Sequence, residues 1–354
     1  MRLIFTIGLF VSILALPGLL TAQDARFTQF YAAPHHMNPA FTGVYDGGYR
    51  FIANYRELYN TIMARTAYRS VAANFDIRRP VSKGDFAGFG LSVMRDQAGI
   101  AKFVNQYAHL SGSYMKQMGG SKKGVRQQYL IAGAQLGYGQ RGFDFNSLWF
   151  SNQFDTERGT LDPGLSSGEP FDINEARPTS TYLDFNAGVL WYATFAENSS
   201  FYFGGSLYHL NQPNISFIEG HQETLARRWV GQAGAEIPLN KELSFMPAVA
   251  AMGQGSHLSV TSGGNFRYSQ NRKGEIALRL GAWAHLANRL DQGILMDNIA
   301  VTAFLELERW DLGLSYDITT SSLKMANNSR GGFEVSLIYR GKANYRDKLV
   351  CPHL

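Results

Sequence analysis

Cysteine is almost absent from this sequence: one residue, Cys351, among 354. A disulfide framework within the chain and a cysteine-based zinc cluster are therefore excluded. Charged residues are scarce too, at 17%, where a soluble chain usually carries about 25%. After residue 22 no apolar run reaches the about 18 residues of a membrane-spanning helix. Aromatic residues are abundant at 13%, which excludes a disordered chain and disfavours a cytosolic enzyme.

Residues 1–22 have the features of a secretory signal peptide. Arg2 gives a short basic region, and residues 3–16 form an apolar stretch that a Pro-Gly pair interrupts. A spanning helix is disfavoured because that stretch is shorter than about 20 residues. We expect cleavage after Ala22, which predicts that the mature chain begins near Gln23 and leaves the cytoplasm.

Most of the remaining sequence alternates between apolar and polar residues with a period of two. The alternation is clearest in 128–138, 182–191, 276–284, 310–318 and 333–339. One face is apolar with Tyr or Trp at its ends, and the other is polar or glycine, which is typical of a transmembrane β-barrel. A soluble antiparallel sandwich also alternates, but its strands are usually shorter, at about five or six residues.

Counting all the alternating segments of the sequence gives fourteen predicted strands. Bacterial outer-membrane barrels have an even number of strands. The predicted fold class is therefore all-β, a transmembrane antiparallel β-barrel of outer-membrane type spanning 48–341. A lead-in of residues 23–47 precedes it and a tail of residues 342–354 follows it. The predicted strands are 48–57, 67–79, 86–96, 103–117, 127–142, 180–195, 200–211, 226–238, 243–253, 256–269, 274–287, 297–308, 309–319 and 331–341.

The connections after odd-numbered strands are longer on the whole than those after even-numbered strands. Barrels place short turns in the periplasm and long loops outside, so both termini are predicted to be periplasmic. The longest outer connection is 143–179, and loops of this length usually have a function or are disordered. Its aromatic residues indicate packing against another surface such as the barrel mouth; they are Phe143, Phe145, Trp149, Phe150 and Phe154.

The lead-in contains one tight-turn signal. Asn38 and Pro39 favour a turn because proline fixes φ and asparagine can bond to its own backbone. Gly43 permits a backbone angle that other residues resist. By themselves these residues predict no more than a turn before the first strand.

The same segment resembles the start of the PorP/SprF family of the type IX secretion system in Bacteroidetes. Residues 23–31 are similar to its Q-D-x-x-F-(S/T)-Q-(F/Y) run, with Gln29 as the second glutamine. Residues 38–43 are similar to its N-P-A-(Y/F)-(A/T)-G run, with Ala40 in the motif. Residues 314–339 resemble the family's last hairpin, and the Cys-Pro near the end resembles its C-P-x-F ending, although Leu354 replaces the phenylalanine.

The resemblance implies an integral outer-membrane protein of type IX secretion, and of adhesin delivery in gliding species. Its implied cargo carries a type B C-terminal sorting domain, and its implied partners include periplasmic ring and peptidoglycan-binding components. Loop 143–179 would then contact cargo at the surface. The lead-in and the tail would face periplasmic partners, or the lead-in would fold into the barrel as a plug. Cys351 could pair with a partner.

No catalytic, cofactor or metal site is predicted, and the small, dispersed excess of positive charge gives no reason to expect nucleic-acid binding. His35 and His36 are adjacent and no third ligand is suitably spaced, so they are predicted to be ordinary lead-in residues. The polar residues of the inward faces suggest a network lining or closing the lumen; they are Asp184, Asn186, Arg279, Glu306 and Glu308.

Two other functions remain open at this stage. A fourteen-stranded barrel leaves room for a lumen, so the chain could be an outer-membrane channel or transporter for small solutes. An outer-membrane hydrolase would need a nucleophile and a base together on one rim, and the sequence has no such cluster and no G-x-S-x-G motif.

Overall fold

The alternating segments form a closed antiparallel barrel of fourteen strands in the computed structural model of the chain. The first strand pairs with the last, and a small separate hairpin lies between the fifth and sixth strands of the wall. The predicted fold class is therefore confirmed. The strands are β1 (Tyr49–Leu58), β2 (Tyr68–Ser82), β3 (Asp85–Ala98), β4 (Phe103–Gly120), β5 (Gln127–Gly142), β6 (Phe154–Asp155), β7 (Thr160–Leu161), β8 (Thr179–Ala196), β9 (Ser199–Tyr208), β10 (Arg228–Pro238), β11 (Leu243–Gln254), β12 (His257–Ser269), β13 (Ala277–Asn288), β14 (Ile294–Glu306), β15 (Trp310–Thr319) and β16 (Arg330–Gly341).

The structure does not describe the whole chain. The predicted signal peptide lies outside the described residues, as do Phe145, Trp149, Cys351 and all of the predicted tail beyond residue 342. The described residues are 24–120, 126–144, 147–148, 150–162, 164–166, 168, 177–196, 198–269, 276–288 and 293–342.

Two strands end earlier than predicted for local reasons. The strand predicted over 200–211 ends at Tyr208, because His209 has a φ of 58° and leaves the extended conformation. The strand predicted over 297–308 begins at Ile294 and ends at Glu306. There the chain reverses in a turn closed by the Leu307 N–H, which donates to the carbonyl of Trp310 at 2.7 Å.

The strand β15 illustrates how the wall separates lipid from lumen. Its residues alternate without exception between exposed and buried along Trp310–Thr319. Trp310 is 45% exposed and Leu314 is 51% exposed, whereas Asp311 and Asp317 are each 2% exposed. The apolar face therefore points to the bilayer and the acidic face points into the lumen.

The two ends of the barrel differ in the length of their connections. One end carries short turns such as 83–84 and 239–242, and the other carries 143–178, 209–227 and 320–329. Outer-membrane barrels have their long loops outside the cell, so the second end faces outward. The first strand therefore begins, and the last strand ends, at the inner end.

The described part of the lead-in runs through the lumen. Its N-terminal end is at the outer mouth, where the Asp24 N–H donates to Gln254 Oε1 at 2.9 Å. Its other end is at the inner rim, where the Gly48 N–H donates to the carbonyl of Gly341 at 2.9 Å. Every residue from 27 to 45 is buried. The segment therefore lies inside the barrel, and periplasmic partners can reach little of it.

In the described parts of the chain, helical structure occurs as single turns. Among the described residues, none of the helices has the length and apolar character needed to cross a bilayer. Among the described residues, the lead-in carries the turns Phe30–Ala32, Pro34–Met37 and Pro39–Phe41, and outer connections carry Asn60–Met63, Ala64–Thr66, Ser151–Gln153 and Lys324–Asn327.

The hydrophobic core lies between the lead-in and the inner wall. The rings of Phe30 and Trp283 are 5.3 Å apart in an edge-on arrangement, and those of Tyr31 and Phe304 are 5.4 Å apart. Such aromatic pairs stabilise a fold by about 0.5–1.5 kcal/mol beyond the burial of their area. Apolar packing thus fixes the lead-in in the middle of the barrel, and polar contacts hold it on either side.

Candidate functional site

Asp76 of β2 holds the inner half of the lead-in against the wall. Arg50 of β1 donates Nε and Nη2 to its two carboxylate oxygens at 3.0 and 2.8 Å. The Gly43 N–H donates to the same carboxylate at 2.7 Å, from a φ of 80° that glycine adopts without strain. The Tyr45 hydroxyl donates to the Asp76 carbonyl at 2.9 Å. This one buried carboxylate joins two strands to the motif glycine.

Asn38 shapes the turn in the middle of the lead-in and ties it to the wall. Its Oδ1 accepts from the Ala40 N–H at 2.9 Å and so caps the turn Pro39–Phe41. Its Nδ2 donates to the carbonyls of Val189 on β8 and Gly205 on β9, at 2.9 and 3.1 Å. The motif asparagine therefore serves both the local turn and the contact with the barrel.

Glycines in the wall make room for this turn. A Cβ atom on Gly133 would lie 2.5 Å from the Ala40 nitrogen and 2.6 Å from the Pro39 carbonyl carbon. Gly88 and Gly188 approach the same stretch of the lead-in with similarly little space. The wall and the lead-in are therefore fitted to each other at the level of their backbones.

Replacing Gly133 with alanine is expected to lower the free energy of unfolding by about 1–3 kcal/mol, because the added carbon meets backbone that must move. The measurement is urea unfolding of the reconstituted barrel, followed by tryptophan fluorescence. Gly112→Ala is the matched control on β4, since a Cβ there would meet nothing within 4 Å. Equal losses in both variants would show that the lead-in contact is not the cause.

Gln29 anchors the outer half of the lead-in to the last hairpin of the barrel. Its Nε2 donates to Ser315 Oγ at 3.0 Å, and its Oε1 accepts from Ser336 Oγ at 2.5 Å. The N–H groups of Thr28 and Gln29 donate to the Glu334 carboxylate at 2.7 and 3.1 Å. The two ends of the sequence that resemble the family are thus in direct contact.

A chain of charged groups, the outer-mouth cluster, holds the start of the described lead-in. Asp24 Oδ2 lies 3.3 Å from Arg228 Nη1 and 2.7 Å from His209 Nε2. His209 Nδ1 lies 2.9 Å from Asp184 Oδ1, and Asp184 Oδ2 lies 3.1 Å from His109 Nε2. All five side chains are less than a tenth exposed. The cluster links the lead-in to β4, β8 and β10.

Asn186, which was predicted for the lumen together with Asp184, belongs to this cluster. Its Nδ2 donates to Asp184 Oδ2 at 3.1 Å, and its Oδ1 accepts from the His209 N–H at 2.9 Å. The two residues lie on one strand with one residue between them, as the period-two alternation requires.

The charges of the cluster support one another. Burial lowers the pKa of His209, but Asp24 and Asp184 outweigh burial and raise it from 6.5 to about 9. Burial raises the pKa of Asp24, but His209 and Arg228 outweigh that effect and hold it well below its usual range. Both groups are therefore charged at neutral pH.

The stability of the barrel is expected to fall as pH rises through about 9. His209 has a raised pKa, so its stabilising contribution is complete below about 6.5 and is lost above the folded-state value. The contribution is on the order of 3 kcal/mol. Unfolding midpoints from pH 6 to 10 measure it in the wild type and in His209→Gln. The variant should be less stable at pH 6 and should converge with the wild type near pH 10; parallel pH curves would contradict this.

Arg279 and Glu306 form a second and separate cluster near the inner end. Glu306 lies 2.5 Å from Arg279 Nε and 2.8 Å from Arg267 Nε, and Glu236 lies 4.0 Å from Arg267 Nη1. Glu308 departs from the prediction, since it is exposed in the turn after β14. The strand ends at Glu306, so the alternation that would turn Glu308 inward has already stopped. The predicted lumen network is thus two clusters without Glu308.

The histidine pair of the lead-in contacts neighbouring side chains. His35 Nε2 lies 3.3 Å from Asp76 Oδ2, and His36 Nδ1 lies 3.2 Å from the Tyr107 hydroxyl. Within the described part of the chain, no three His, Cys, Asp or Glu side chains are grouped to hold a metal ion. The contacts of Asp76, Asn38, Gln29 and the outer-mouth cluster join side chains to one another and to backbone, an arrangement suited to holding the lead-in in place.

The two longest outer connections, 143–178 and 209–227, are joined into one structure that we name the outer platform. Phe143 lies between the barrel rim and the second connection. Its ring is 6.3 Å from that of Phe103 and 4.6 Å from that of Phe217, the latter edge-on. The longest predicted loop therefore does pack at the barrel mouth through one of its predicted aromatic residues.

A second contact closes the other end of the platform. The Arg177 N–H donates to the Phe217 carbonyl at 2.7 Å, and its guanidinium lies 2.7 Å from the Glu219 carboxylate. Both charged side chains are more than half exposed, so the ion pair itself adds little stability, about 0–1 kcal/mol. The backbone bond and the aromatic contact are the main links between the loops.

Other predicted aromatic residues lie further out on the platform. Phe150 is half-buried beside the turn Ser151–Gln153. Phe154 lies on β6 and is 43% exposed. Leu161, its partner on β7, is 42% exposed, and Leu165 is 45% exposed. This part of the platform therefore presents apolar side chains outward, which is a common property of protein-binding surfaces.

Sequence reasoning missed most of the residues that hold the lead-in. These residues are inward-facing polar positions of strands or lie directly after them, and nothing in their immediate sequence marks them out. The missed residues are Arg50, Asp76, His109, His209, Arg228 and Glu334. The period-two alternation could indicate which strand residues face inward, but it could not indicate what they contact.

Comparison with known proteins agrees with the resemblance read from the motifs. Among solved structures, the chain is similar to the toluene transporter TbuX of Ralstonia pickettii, with 10% identity, coverage of 93% of this chain and 96% of that one, and a TM-score of 0.48. It is also similar to the toluene transporter TodX of P. putida, with 9% identity, coverage of 87% of this chain and 93% of that one, and a TM-score of 0.45. A Pseudomonas aeruginosa FadL homologue is similar as well, with 12% identity, coverage of 85% of this chain and 92% of that one, and a TM-score of 0.44. No curated protein matches the chain significantly. The model of the family described as type IX secretion system membrane protein PorP/SprF matches residues 19–339, so the chain belongs to the PorP/SprF family.

Proposed function

We propose that this outer-membrane protein is a non-enzymatic component that holds exported proteins at the cell surface. Family membership gives the coarser statement, a membrane protein of type IX secretion. The finer proposal is that its cargo carries a type B C-terminal sorting domain, with adhesins among the cargo. The supporting observation is that the outer connections are joined to each other and to the barrel rim, on a barrel whose lumen is filled by the lead-in.

The filled lumen supports a holding role over a transport role. The lead-in is buried from residue 27 to residue 45, and its aromatic side chains pack against Trp283 and Phe304 of the wall. A solute path along the barrel axis would require this segment to leave or rearrange. The barrel in this conformation is therefore suited to act as an anchor for what binds at its ends.

The platform offers chemistry suited to binding an extended segment of a protein. Phe154–Asp155 pairs with Thr160–Leu161 and, within the described parts of the chain, with no other strand. The outer edges of this hairpin leave backbone groups available for an added strand. The exposed Phe154 and Leu161 side chains lie on the same hairpin and would cover the apolar residues of that strand.

Periplasmic partners are proposed to bind at the inner turns and at the tail that begins at residue 342. The lead-in is a poor candidate for such contacts because it is buried up to the inner rim. We also propose that residues 1–22 are removed near Ala22 as a signal peptide. These assignments separate a periplasmic face from a cargo face on opposite ends of one barrel.

The test is a comparison of the cell-surface proteome with and without this protein. Deletion of its gene is expected to remove proteins with type B sorting domains from the surface and to leave other outer-membrane barrels unchanged. Complementation with the intact gene should restore them. Unchanged surface cargo together with lost uptake of a small solute would contradict the proposal and would favour a channel.

A further inference from the structure

A row of polar side chains crosses the outward face of the wall near its outer end. The ladder pairs Arg95 of β3 with Gln106 of β4, and Gln106 with Gln140 of β5. Arg95 Nη1 donates to Gln106 Oε1 at 3.3 Å, and Gln106 Nε2 donates to Gln140 Oε1 at 2.8 Å. Three neighbouring strands thus present one continuous hydrogen-bonded row to the outside of the barrel.

The next outward row toward the middle of the membrane contains two alanines. Its paired members are Ala73, Val93 and Ala108, and Tyr138 closes it on the β5 side. The row below that one is bulky, with Phe75, Leu91 and Leu110 among its members. Small side chains between a polar row and a bulky row leave a depression of about 530 Å³ in the wall.

The position of the polar row places it where the apolar belt ends. Arg95 is three residues before the outer end of β3 at Ala98, and Gln106 is three residues after the outer start of β4 at Phe103. The residues beneath it, such as Leu91 at 44% exposed and Leu110 at 64% exposed, face the bilayer. The row therefore lies at the level of the outer-leaflet headgroups.

Arg95 gives this polar row a net positive charge. Its side chain is exposed, and among the described residues it makes no ion pair with an acidic group. The nearby outward arginine, Arg69, is 3.4 Å from Glu57 and so is already paired. A guanidinium with free donors is well suited to a phosphate group, which it binds through two parallel hydrogen bonds.

We propose that this depression is a binding site for one molecule of lipid A from the outer leaflet. A lipid A phosphate would accept from Arg95, Gln106 and Gln140 would bind the neighbouring sugar hydroxyls, and an acyl chain would fill the depression over Ala108. A lipid is the occupant that the position favours, because this face of the wall is covered by the bilayer. The combination of an unpaired cation and an apolar groove directly below it matches a phosphorylated lipid.

The experiment is native mass spectrometry of the barrel purified from outer membranes in a mild detergent, with bound lipid A counted per barrel. Arg95→Gln removes the charge and Ala108→Leu fills the depression. Each is expected to reduce bound lipid A about tenfold, the loss that follows from removing one charge-assisted contact or the chain site. Arg79→Gln is the matched control, an outward arginine three residues before the inner end of β2.

Titration of delipidated barrel with lipid A, with dephosphorylated lipid A and with inorganic phosphate separates the sources of binding. The proposal predicts tight binding of lipid A, weak binding of its dephosphorylated form and no competition by inorganic phosphate. Equal retention of lipid A by wild type, Arg95→Gln and Ala108→Leu would overturn it. So would equal loss in the Arg79→Gln control, or a protein partner recovered at this face in place of the lipid. Heat-modified migration on gels checks that each variant is folded.

Discussion

Replacing Asp76 with alanine is expected to destabilise the barrel by about 3–5 kcal/mol, because it leaves Arg50 buried without its partner. Arg50 is 4% exposed, and its two hydrogen bonds to this carboxylate are its only contacts with an acidic group among the described residues. The same change removes the acceptor of the Gly43 N–H at the inner end of the lead-in. The measurement is the urea midpoint of the reconstituted barrel.

Two variants make this result specific. Asp76→Asn keeps the volume and one acceptor oxygen, and should lose less than Asp76→Ala. Asp155→Ala on the outer platform removes a carboxylate 3.6 Å from Arg158, whose side chain is 78% exposed, and should leave the midpoint almost unchanged. A loss for Asp76→Ala no larger than that for Asp155→Ala would show that the carboxylate does not hold the lead-in.

Replacing residues 147–175 with a short Gly-Ser linker is expected to remove cargo from the cell surface while the barrel remains folded. The change keeps Phe143 and Arg177, so both ends of the platform remain attached to the second connection. It removes β6, β7 and their exposed apolar side chains. The readout is immunoblotting of surface-exposed cargo on intact cells, with heat-modified migration as the test of folding.

The control inserts the same linker into the short turn at 255–256, at the same end of the barrel but outside the platform. That chain should fold and keep its surface cargo. Cargo levels that stay normal in the platform variant would show that this hairpin does not hold cargo. Loss of cargo in both variants with normal folding would point instead to an effect on the assembled secretion machinery.

The barrel could be predicted from the sequence because its rules are local. Alternation along β15 or β16 is a property of neighbouring residues, and each strand pairs with its neighbour in sequence apart from the closing pair and the β6–β7 excursion. Local rules fail where a strand stops. Glu308 was predicted to face the lumen because Glu306 does, but the chain reverses between them, and two-residue parity cannot detect a turn that short.

The path of the lead-in could not be predicted in this way. Its motif residues indicated a turn, but their partners are far away in sequence: the Thr28 N–H bonds to Glu334, 306 residues later, and Asn38 bonds to the Val189 carbonyl, 151 residues later. Finding these contacts requires the register of the closed barrel and the choice of which end the lead-in enters. Inward parity correctly identified Asp184, but His209 lies in an outer connection, where no parity applies.

Affinity purification of the tagged protein from detergent-solubilised outer membranes, followed by mass spectrometry, tests the proposed role most directly. The expected result is recovery of an exported protein with a C-terminal sorting domain, together with periplasmic components of the secretion system. The 147–175 linker variant should recover the periplasmic components without the exported protein. Recovery of the wild-type barrel alone, under conditions that keep other outer-membrane complexes intact, would contradict a role in holding cargo.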